Sequence, residues 1–171
     1  MRTCQSKTVG FESGTTEGFA LSSGPAGTTV TNSAVRAHTG TRALAIAYDA
    51  TSTLSRRAAA HLNLCGAPGV TNLIGSTVSA WVYVDGPALP DPATSGHSDV
   101  SIYLFTQSGS FYPNASAGDD PPVGTWFPLS VTVPATPAGG AASTGIDLQF
   151  YVNGTGTWSG TVYFDDLTIT P

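Results

Sequence analysis

Short runs in which apolar and polar residues alternate recur along this chain, separated by stretches rich in glycine, proline, serine and threonine. Residues 146–153 (I-D-L-Q-F-Y-V-N) are the clearest case, because every second residue from Ile146 to Val152 is apolar. Successive side chains of a β-strand point to opposite faces, so this period of two predicts a strand with one buried face. Further runs predict strands over residues 8–12, 29–35, 42–49, 54–64, 78–84, 100–107, 126–134 and 161–169.

Residues 54–64 (L-S-R-R-A-A-A-H-L-N-L) form the ambiguous run, because three consecutive alanines also suit a helix. We interpret the run as a strand, since Leu62 and Leu64 alternate with His61 and Asn63 and no helix cap precedes them. The whole pattern predicts about nine strands, no convincing helix, no internal repeat and no domain break.

The predicted fold class is all-β, with two antiparallel sheets packed face to face in a jelly-roll β-sandwich that forms one domain over residues 1–171. Twenty glycines and twelve prolines suit the many turns of such a fold. Apolar residues make up 40% of the chain and charged residues only 10%, which excludes a charge-rich disordered chain. A chain of 171 residues can also bury a substantial core.

The net charge, the distribution of basic residues and the length of the apolar runs indicate which classes of binding partner to exclude. The formal net charge is −5, and the six Lys and Arg residues are scattered along the sequence. Nucleic-acid binding depends on clustered basic residues, so we expect no nucleic-acid partner. No apolar run approaches the roughly 18 residues that span a membrane, so we expect no membrane partner either.

Cys4 and Cys65 are the only cysteines. A disulfide between them would suit an exported domain, and two free or buried thiols are the alternative. Two cysteines without nearby histidines do not make a zinc site.

Two of the predicted strands leave one face with side chains that suit a sugar. Assigning Val100, Ile102 and Leu104 to the core places the intervening residues on the opposite face, and the same holds for residues 146–153. Aromatic rings stack on the C–H faces of sugars, while amides and carboxylates hydrogen-bond to hydroxyls. If the two strands are neighbours, their outward face therefore predicts a carbohydrate groove. The side chains assigned to this face are Ser101, Tyr103, Phe105, Gln107, Asp147, Gln149, Tyr151 and Asn153.

Two further strands could add to the same sheet. Residues 54–64 would contribute Arg57 and His61, and residues 78–84 would contribute Trp81 and Tyr83. The alternative for Trp81 and Tyr83 is that they point into the core while Val82 turns outward.

Three short motifs carry a resemblance to a known class of protein. They are F-E-S-G at residues 11–14, H-T-G-T-R-A-L at residues 38–44 and Y-F-D-D-L at residues 163–167. Together they resemble jelly-roll carbohydrate-binding modules of the family 4 and 9 type, in which an FE-S-G strand opens the domain and an F-D-D-L or I-D-D-V strand closes it. The turns and apolar strands fit those modules over nearly the whole chain, whereas the predicted binding strands carry no matching motif.

The resemblance implies a structural calcium ion. Transferred residue by residue, its ligands would be Glu12, Asp165 and backbone oxygens around Thr39 to Arg42. Calcium takes about six to eight oxygen ligands, and carboxylates with backbone carbonyls supply them.

The period of two gives the doubled aspartate of the last strand a further interpretation. If Leu167 and Ile169 face the core, Asp165 points inward and Asp166 outward, and an inward carboxylate needs a partner such as a metal. The alternative is a solvated pair of aspartates, with Glu12 paired to Arg42.

Catalysis is not expected. Asp165 and Asp166 are adjacent on a strand and cannot flank one bond, and the sequence has no nucleophile elbow and no phosphate-binding glycine loop. We expect non-catalytic binding of a neutral polysaccharide of the β-glucan, xylan or mannan type by a secreted monomer tethered to a glycoside hydrolase. A structural or adhesion β-sandwich that binds no glycan is the alternative, and a calcium-bridged sugar site is a third possibility.

Overall fold

The computed structural model describes residues 7–50, 56–63, 73, 75–106, 116–133, 143–154 and 157–171. Over these ranges the structure contains eleven strands and one four-residue helix. The strands form two antiparallel sheets, so the predicted two-sheet β-sandwich is confirmed. The elements are β1 (Lys7–Val9), β2 (Ala20–Ser23), β3 (Thr29–Ser33), β4 (Ala43–Ala50), β5 (Arg56–Asn63), β6 (Thr77–Asp85), α1 (Pro92–Ser95), β7 (Asp99–Thr106), β8 (Ser116–Asp119), β9 (Trp126–Thr132), β10 (Ser143–Val152) and β11 (Trp158–Thr170).

The two sheets each have a long C-terminal strand at their centre. Sheet A has the order β3-β4-β11-β6-β9, and β1 pairs with the end of β11. Sheet B has the order β2-β5-β10-β7-β8. The last strand of the chain therefore lies inside the fold.

The core lies between the two sheets and takes alternate side chains from their strands. On β10, every second residue from Ile146 to Val152 is fully buried in it, and β7 contributes Val100 and Ile102. The predicted core face of these two strands is confirmed for those residues, while the side chain of Leu104 lies outside the described part. Because one face of each strand packs in the core, the other face points away from it.

Two short strands at the edges of sheet B fall in stretches that the sequence pattern predicts as loops. Strand β2 reads A-L-S-S and is exposed throughout, and β8 reads S-A-G-D. Neither alternates large apolar residues, so pairing with β5 and β7 rather than local preference makes them strands. The short helix α1 lies in the proline-rich loop before β7, where the Asp91 side chain caps it.

Strand β11 contains a β-bulge between Asp165 and Thr168, where Asp166 has a φ of 46°. The extra residue shifts the alternation of side chains, so Asp165 lies on the face away from the core. The prediction that Asp165 shares the core face of Leu167 and Ile169 is therefore wrong, because a period of two does not continue through a bulge. The apolar side chains that enter the core on the two sides of the bulge are Val162, Phe164, Leu167 and Ile169.

The first predicted strand, over residues 8–12, ends early. Strand β1 stops at Val9, and Phe11 turns the chain with a left-handed φ of 58° while its ring is buried in the core. This turn directs Glu12 toward the loop at residues 38–42. In the ranges that the structure describes, no helix is long and apolar enough to cross a membrane.

Candidate functional site

The outer face of sheet B carries most of the side chains that the sequence predicts to bind carbohydrate. Because β10 pairs with β5 on one side and β7 on the other, Asp147 lies opposite both His61 and Tyr103. Further along β10, Tyr151 lies opposite Arg57. The predicted strands are therefore neighbours, and we call this surface the polar face of sheet B. Its described polar and aromatic members on β5, β7 and β10 are Arg57, His61, Asp99, Ser101, Tyr103, Asp147, Gln149 and Tyr151, and β8 adds Asp119 opposite Asp99.

Asp147 is the centre of one hydrogen-bonded group on this face, although only 2% of the residue is exposed. His61 Nδ1 lies 2.6 Å from Oδ1, while Gln149 Nε2 and Ser22 Oγ donate to Oδ2 over 3.2 and 3.4 Å. Burial raises the pKa of Asp147 above its ordinary value, and the bonds from His61 and Gln149 act in the opposite direction. Three polar partners thus hold a buried carboxyl group in one orientation.

Gln149 leaves a buried acceptor unused. Only 3% of the residue is exposed, and its Oε1 has no hydrogen-bond partner in the part of the chain that the structure describes. A buried acceptor without a partner costs about 1–3 kcal/mol. Because the oxygen itself is buried, a ligand hydroxyl that donated to Oε1 would remove this cost only after the groups that cover the oxygen had moved aside.

Arg57 forms a second group on the polar face. Its Nη1 donates to Asp99 Oδ1 over 2.9 Å and its Nη2 to Oδ2 over 3.4 Å, which makes a forked ion pair. The guanidinium carbon also lies 5.0 Å from the ring centre of Tyr151 and 5.4 Å from that of Tyr103. One cation thus contacts both partly exposed tyrosine rings.

Two members of the site were not identified from the sequence. Asp99 precedes the predicted strand 100–107 by one residue, and extending the alternation backwards would have placed it on the same face as Ser101 and Tyr103. Ser22 lies on β2, whose sequence carries no strand signal that could have located it.

Trp81 and Tyr83 do not join this face. Strand β6 pairs with β9 and β11, so both side chains lie on the outer face of sheet A, and the expectation that they share a sheet with Tyr103 is wrong. A strand's own residues do not specify its partner strands, which is why the pattern could not decide this. On sheet A the Trp81 ring stacks on His38 with 4.0 Å between ring centres, and Arg36 lies 4.7 Å above the Tyr83 ring. Outside the described part lie the side chain of Phe105 and the residues Gln107, Cys4 and Cys65.

The predicted calcium site is a second place where distant segments meet. Glu12 Oε1 accepts from the backbone N–H groups of Thr41 and Arg42, each over 2.9 Å, and Oε2 accepts from the Thr41 hydroxyl over 2.8 Å. These bonds, those from Thr41 above all, lower the pKa of Glu12 below its ordinary value. Gly40 lies so close that a Cβ atom added there would be 2.5 Å from Oε1.

Asp165 holds the other half of the same turn. Its Oδ2 accepts from the N–H groups of His38 and Thr39 over 2.8 and 3.2 Å, and its Oδ1 accepts from the N–H of Asp166 over 2.7 Å. Asp165 is fully buried, which raises its pKa and excludes a solvated aspartate pair. Asp166 accepts from the Thr39 hydroxyl and contacts the His38 ring. We call Glu12, residues 38–42 and residues 165–166 the clasp.

The clasp brings the predicted calcium ligands together, but the described partners of the Glu12 and Asp165 carboxylates are N–H and O–H donors. Each carboxylate has about four lone-pair positions, and Glu12 and Asp165 each accept three described bonds, so little of either carboxylate is left for an ion. The described contacts of Thr39 and Arg42 with these carboxylates come from N–H groups, whereas calcium needs oxygen ligands. Searched over the described residues, the structure shows no group of three or more His, Cys, Asp or Glu that could hold a metal. Calcium therefore stays a prediction.

No protein-family profile matches the sequence. No curated protein matches it either. Solved structures do match: one, determined to explain the promiscuous specificity of carbohydrate-binding modules of the β-sandwich superfamily, aligns with a TM-score of 0.63 and 19% identity. That alignment covers 99% of this chain and 63% of the other, so this chain spans less than two thirds of that structure.

The descriptions of two further structural neighbours mention xylan or a xylanase. The first family 22 xylan-binding domain of a Paenibacillus barcinonensis protein aligns with a TM-score of 0.56 and 15% identity, covering 99% of this chain and 96% of the other. A Clostridium thermocellum endo-1,4-β-D-xylanase, solved as a family 22 module joined to its family 10 hydrolase module with xylohexaose, aligns with a TM-score of 0.58 and 19% identity. It covers 96% of this chain and 28% of that one. Identities this low show the shared β-sandwich fold alone, and the resemblance to the family 4 and 9 type stays a prediction.

Substituting Gly40 with alanine tests the close approach in the clasp. Gly40 has a φ of +66°, and an added Cβ would collide with the Glu12 carboxylate. Gly75 is a matched control, because its φ is +82° but nothing lies within 4 Å of an added Cβ. We expect Gly75→Ala to lower the free energy of unfolding by about 1–2 kcal/mol and Gly40→Ala to lower it by at least about 1 kcal/mol more. Urea unfolding measures both, and equal losses would contradict the close approach.

The lowered pKa of Glu12 predicts how the clasp responds to acid. A carboxyl group whose folded-state pKa lies below its ordinary value of 4.5 stabilises the fold above that pH. The stabilisation is lost as the pH falls through the folded-state pKa. The midpoint difference between wild type and Glu12→Gln should therefore be largest at neutral pH and shrink below pH 4.5, as thermal unfolding followed by circular dichroism would show. A difference that stays constant down to pH 3 would contradict this role.

Proposed function

We propose that this protein is a non-catalytic carbohydrate-binding module that binds a neutral polysaccharide across the polar face of sheet B. The observation that carries the proposal is the strand pairing that puts the rings of Tyr103 and Tyr151 on one face with Gln149, whose Oε1 has no partner among the described residues. The partly exposed rings of Tyr103 and Tyr151 flank the same surface. A sugar chain presents C–H faces to such rings and hydroxyl donors to such an oxygen.

The charges of the polar face favour a neutral ligand. Arg57 is paired with Asp99, and the Asp147 carboxyl group is bonded to His61. An acidic polymer would have to compete with these carboxylates for their partners, and the net charge of −5 would oppose its approach. A neutral chain of the β-glucan, xylan or mannan type meets neither obstacle.

The structural neighbours rank the candidate ligands. One is described as a xylan-binding domain, and another is joined to a xylanase module and was solved with xylohexaose. Because a shared fold does not imply a shared function, this likeness selects xylan as the first polysaccharide to test and no more. Because one neighbour is joined to a family 10 hydrolase module, we also propose that this module is tethered to a glycoside hydrolase that it holds on its substrate. A secreted, monomeric state stays a prediction from the sequence.

Three described carboxylates lie on the outer face of sheet B, because Asp119 of β8 pairs with Asp99. Asp99 and Asp147 are poorly placed to act together in hydrolysis. Asp99 lies opposite Tyr151, four residues along β10 from Asp147. At about 3.3 Å per residue their backbone positions are about 13 Å apart along the sheet, whereas the carboxyl pairs of glycosidases lie about 5–9.5 Å apart. Asp99 and Asp147 are also engaged, Asp99 by Arg57 and Asp147 by His61, so neither is free to act with Asp119. Binding without catalysis is the function that this geometry supports.

Truncating the tyrosines tests the proposed groove. We expect Tyr103→Ala and Tyr151→Ala each to weaken binding to soluble xylan by at least about fivefold, because losing an aromatic anchor costs about 1 kcal/mol or more. Affinity electrophoresis with xylan, β-glucan, mannan and a gel without glycan measures the retardation, and titration calorimetry gives the dissociation constant.

Tyr83→Ala is the matched control for this experiment. Tyr83 is also a partly exposed tyrosine beneath an arginine, but it lies on sheet A. We expect it to bind like the wild type. Loss of binding in Tyr83→Ala alone would indicate that the groove lies on sheet A. No retardation of the wild type on any glycan would favour a structural or adhesion domain.

We also propose that Ca²⁺ stabilises the clasp through Glu12 and Asp165. The meeting of these two carboxylates on one turn supports the proposal. Because each carboxylate accepts three described bonds, calcium would have to replace some of those donors, and backbone oxygens near Thr39 and Arg42 would have to complete the ligand set. An ion bound only by the folded state adds about 2.7 kcal/mol at a hundredfold excess over its dissociation constant. We expect EDTA to lower the melting midpoint and calcium, but not magnesium, to restore it. An unchanged midpoint would contradict a structural calcium ion. Xylan binding that EDTA abolishes without changing the midpoint would indicate a calcium-bridged sugar site instead.

A further inference from the structure

We propose that Asp99 is a positioning residue of the glycan groove, which holds the Arg57 guanidinium against the rings of Tyr103 and Tyr151. The inference rests on the proposed function and adds a residue to the site that does not itself have to touch the sugar. It starts from a feature of the topology, namely that Arg57 and Asp99 are not on adjacent strands.

Arg57 reaches Asp99 across an intervening strand. Sheet B places β10 between β5, which carries Arg57, and β7, which carries Asp99. Neighbouring strands lie about 4.8 Å apart, so the Arg57 side chain extends over roughly 10 Å of sheet surface. Its path crosses β10 near Tyr151, the residue that pairs with both Arg57 and Asp99. The side chain is therefore laid along the surface of the proposed groove instead of pointing into solvent.

The far end of Arg57 is fixed by a small hydrogen-bonded network on β7. Besides the forked pair with Asp99, Nη1 donates to Ser101 Oγ over 3.3 Å, and Ser101 Oγ lies 3.0 Å from Asp99 Oδ1. The Asp99 side chain is 17% exposed, Ser101 is fully buried and the Arg57 side chain is 33% exposed, so the network is partly withdrawn from water. An ion pair in such surroundings is screened less than one on the open surface.

Holding an arginine side chain in one position costs rotamer freedom, so a favourable interaction has to offset that cost. For Arg57 this interaction is the ion pair with Asp99. Held there, the guanidinium lies near both tyrosine rings. An arginine has five N–H donors, and the described bonds to Asp99 and Ser101 use three of them. The remaining donors lie next to the rings on which a sugar would stack. Asp99 thereby orients both a cation and two aromatic rings toward the ligand.

The chain offers a matched control on the other sheet. Arg36 Nε donates to Asp85 over 3.2 Å, and the same guanidinium lies 4.7 Å above the Tyr83 ring. This group has the same chemistry, but it faces away from the proposed groove. Asp85→Asn therefore removes an equivalent ion pair without touching the polar face of sheet B.

The experiment compares Asp99→Asn, Asp99→Glu and Asp85→Asn with the wild type. We expect Asp99→Asn to weaken binding to soluble xylan, or to whichever test glycan retards the wild type, by about three- to tenfold. Asp99→Glu keeps the carboxylate and should recover most of the affinity, and Asp85→Asn should bind like the wild type. Melting midpoints of all variants show whether a loss of binding comes with a loss of folded protein.

NMR supplies a readout that needs no ligand. In Asp99→Asn the Arg57 Nε–H resonance and the ring resonances of Tyr103 and Tyr151 should shift, and in Asp99→Glu they should return toward their original positions. If Asp99→Asn does not fold, Ser101→Ala should move the same Arg57 resonance by a smaller amount.

Failure of the inference and failure of the proposed function are distinguishable. Unchanged Arg57 and tyrosine resonances in Asp99→Asn, or unchanged affinity in a folded Asp99→Asn, would overturn the positioning role. An equal loss of affinity in Asp85→Asn would overturn it as well. A wild type that binds no glycan while its Asp99→Asn resonances shift as expected would refute glycan binding but support the placement of Arg57 by Asp99.

Discussion

Every property of the polar face depends on the register that β10 keeps with β5 and β7. Slipping β10 by one residue would exchange its two faces, which would place Asp147 and Gln149 in the core and Ile146 and Leu148 outside. Burial of the apolar side chains opposes such a slip. The bond between His61 and Asp147 adds a polar contact that forms only in the native register. The same pairing that builds the core therefore also aligns the candidate binding site.

The two outer faces of the sandwich show why similar residues need not form similar sites. Both faces carry an arginine that is paired with an aspartate and lies over tyrosine. On sheet A the aromatic rings contact one another and His38, and Trp81 has its ring against the imidazole. On sheet B the described residues leave a buried amide oxygen without a partner. An unmet hydrogen-bonding requirement next to aromatic rings is what distinguishes a surface suited to a ligand from one whose groups already satisfy each other.

The clasp and the polar face lie on different sheets and make different contributions. The clasp joins the start of the chain, the turn at residues 38–42 and the bulged end of β11. It uses carboxylates as acceptors for backbone N–H groups that would otherwise lack partners in the turn. Motifs of this kind identify the scaffold, so the residues that are easiest to recognise in the sequence are not the residues proposed to bind the sugar.

Alternation along the chain was sufficient to predict a β-sandwich, the core faces of β7 and β10, and which of their side chains point away from the core. These properties follow from the pleat of a strand, which each run of residues carries by itself. The tertiary structure decided which sheet β6 joins, where β2 and β8 form, and how the bulge turns Asp165 away from the core. It also brought Asp99 and Arg57 together across β10. Those outcomes depend on pairing between segments distant in sequence, and the energy of such pairing is not contained in either segment alone.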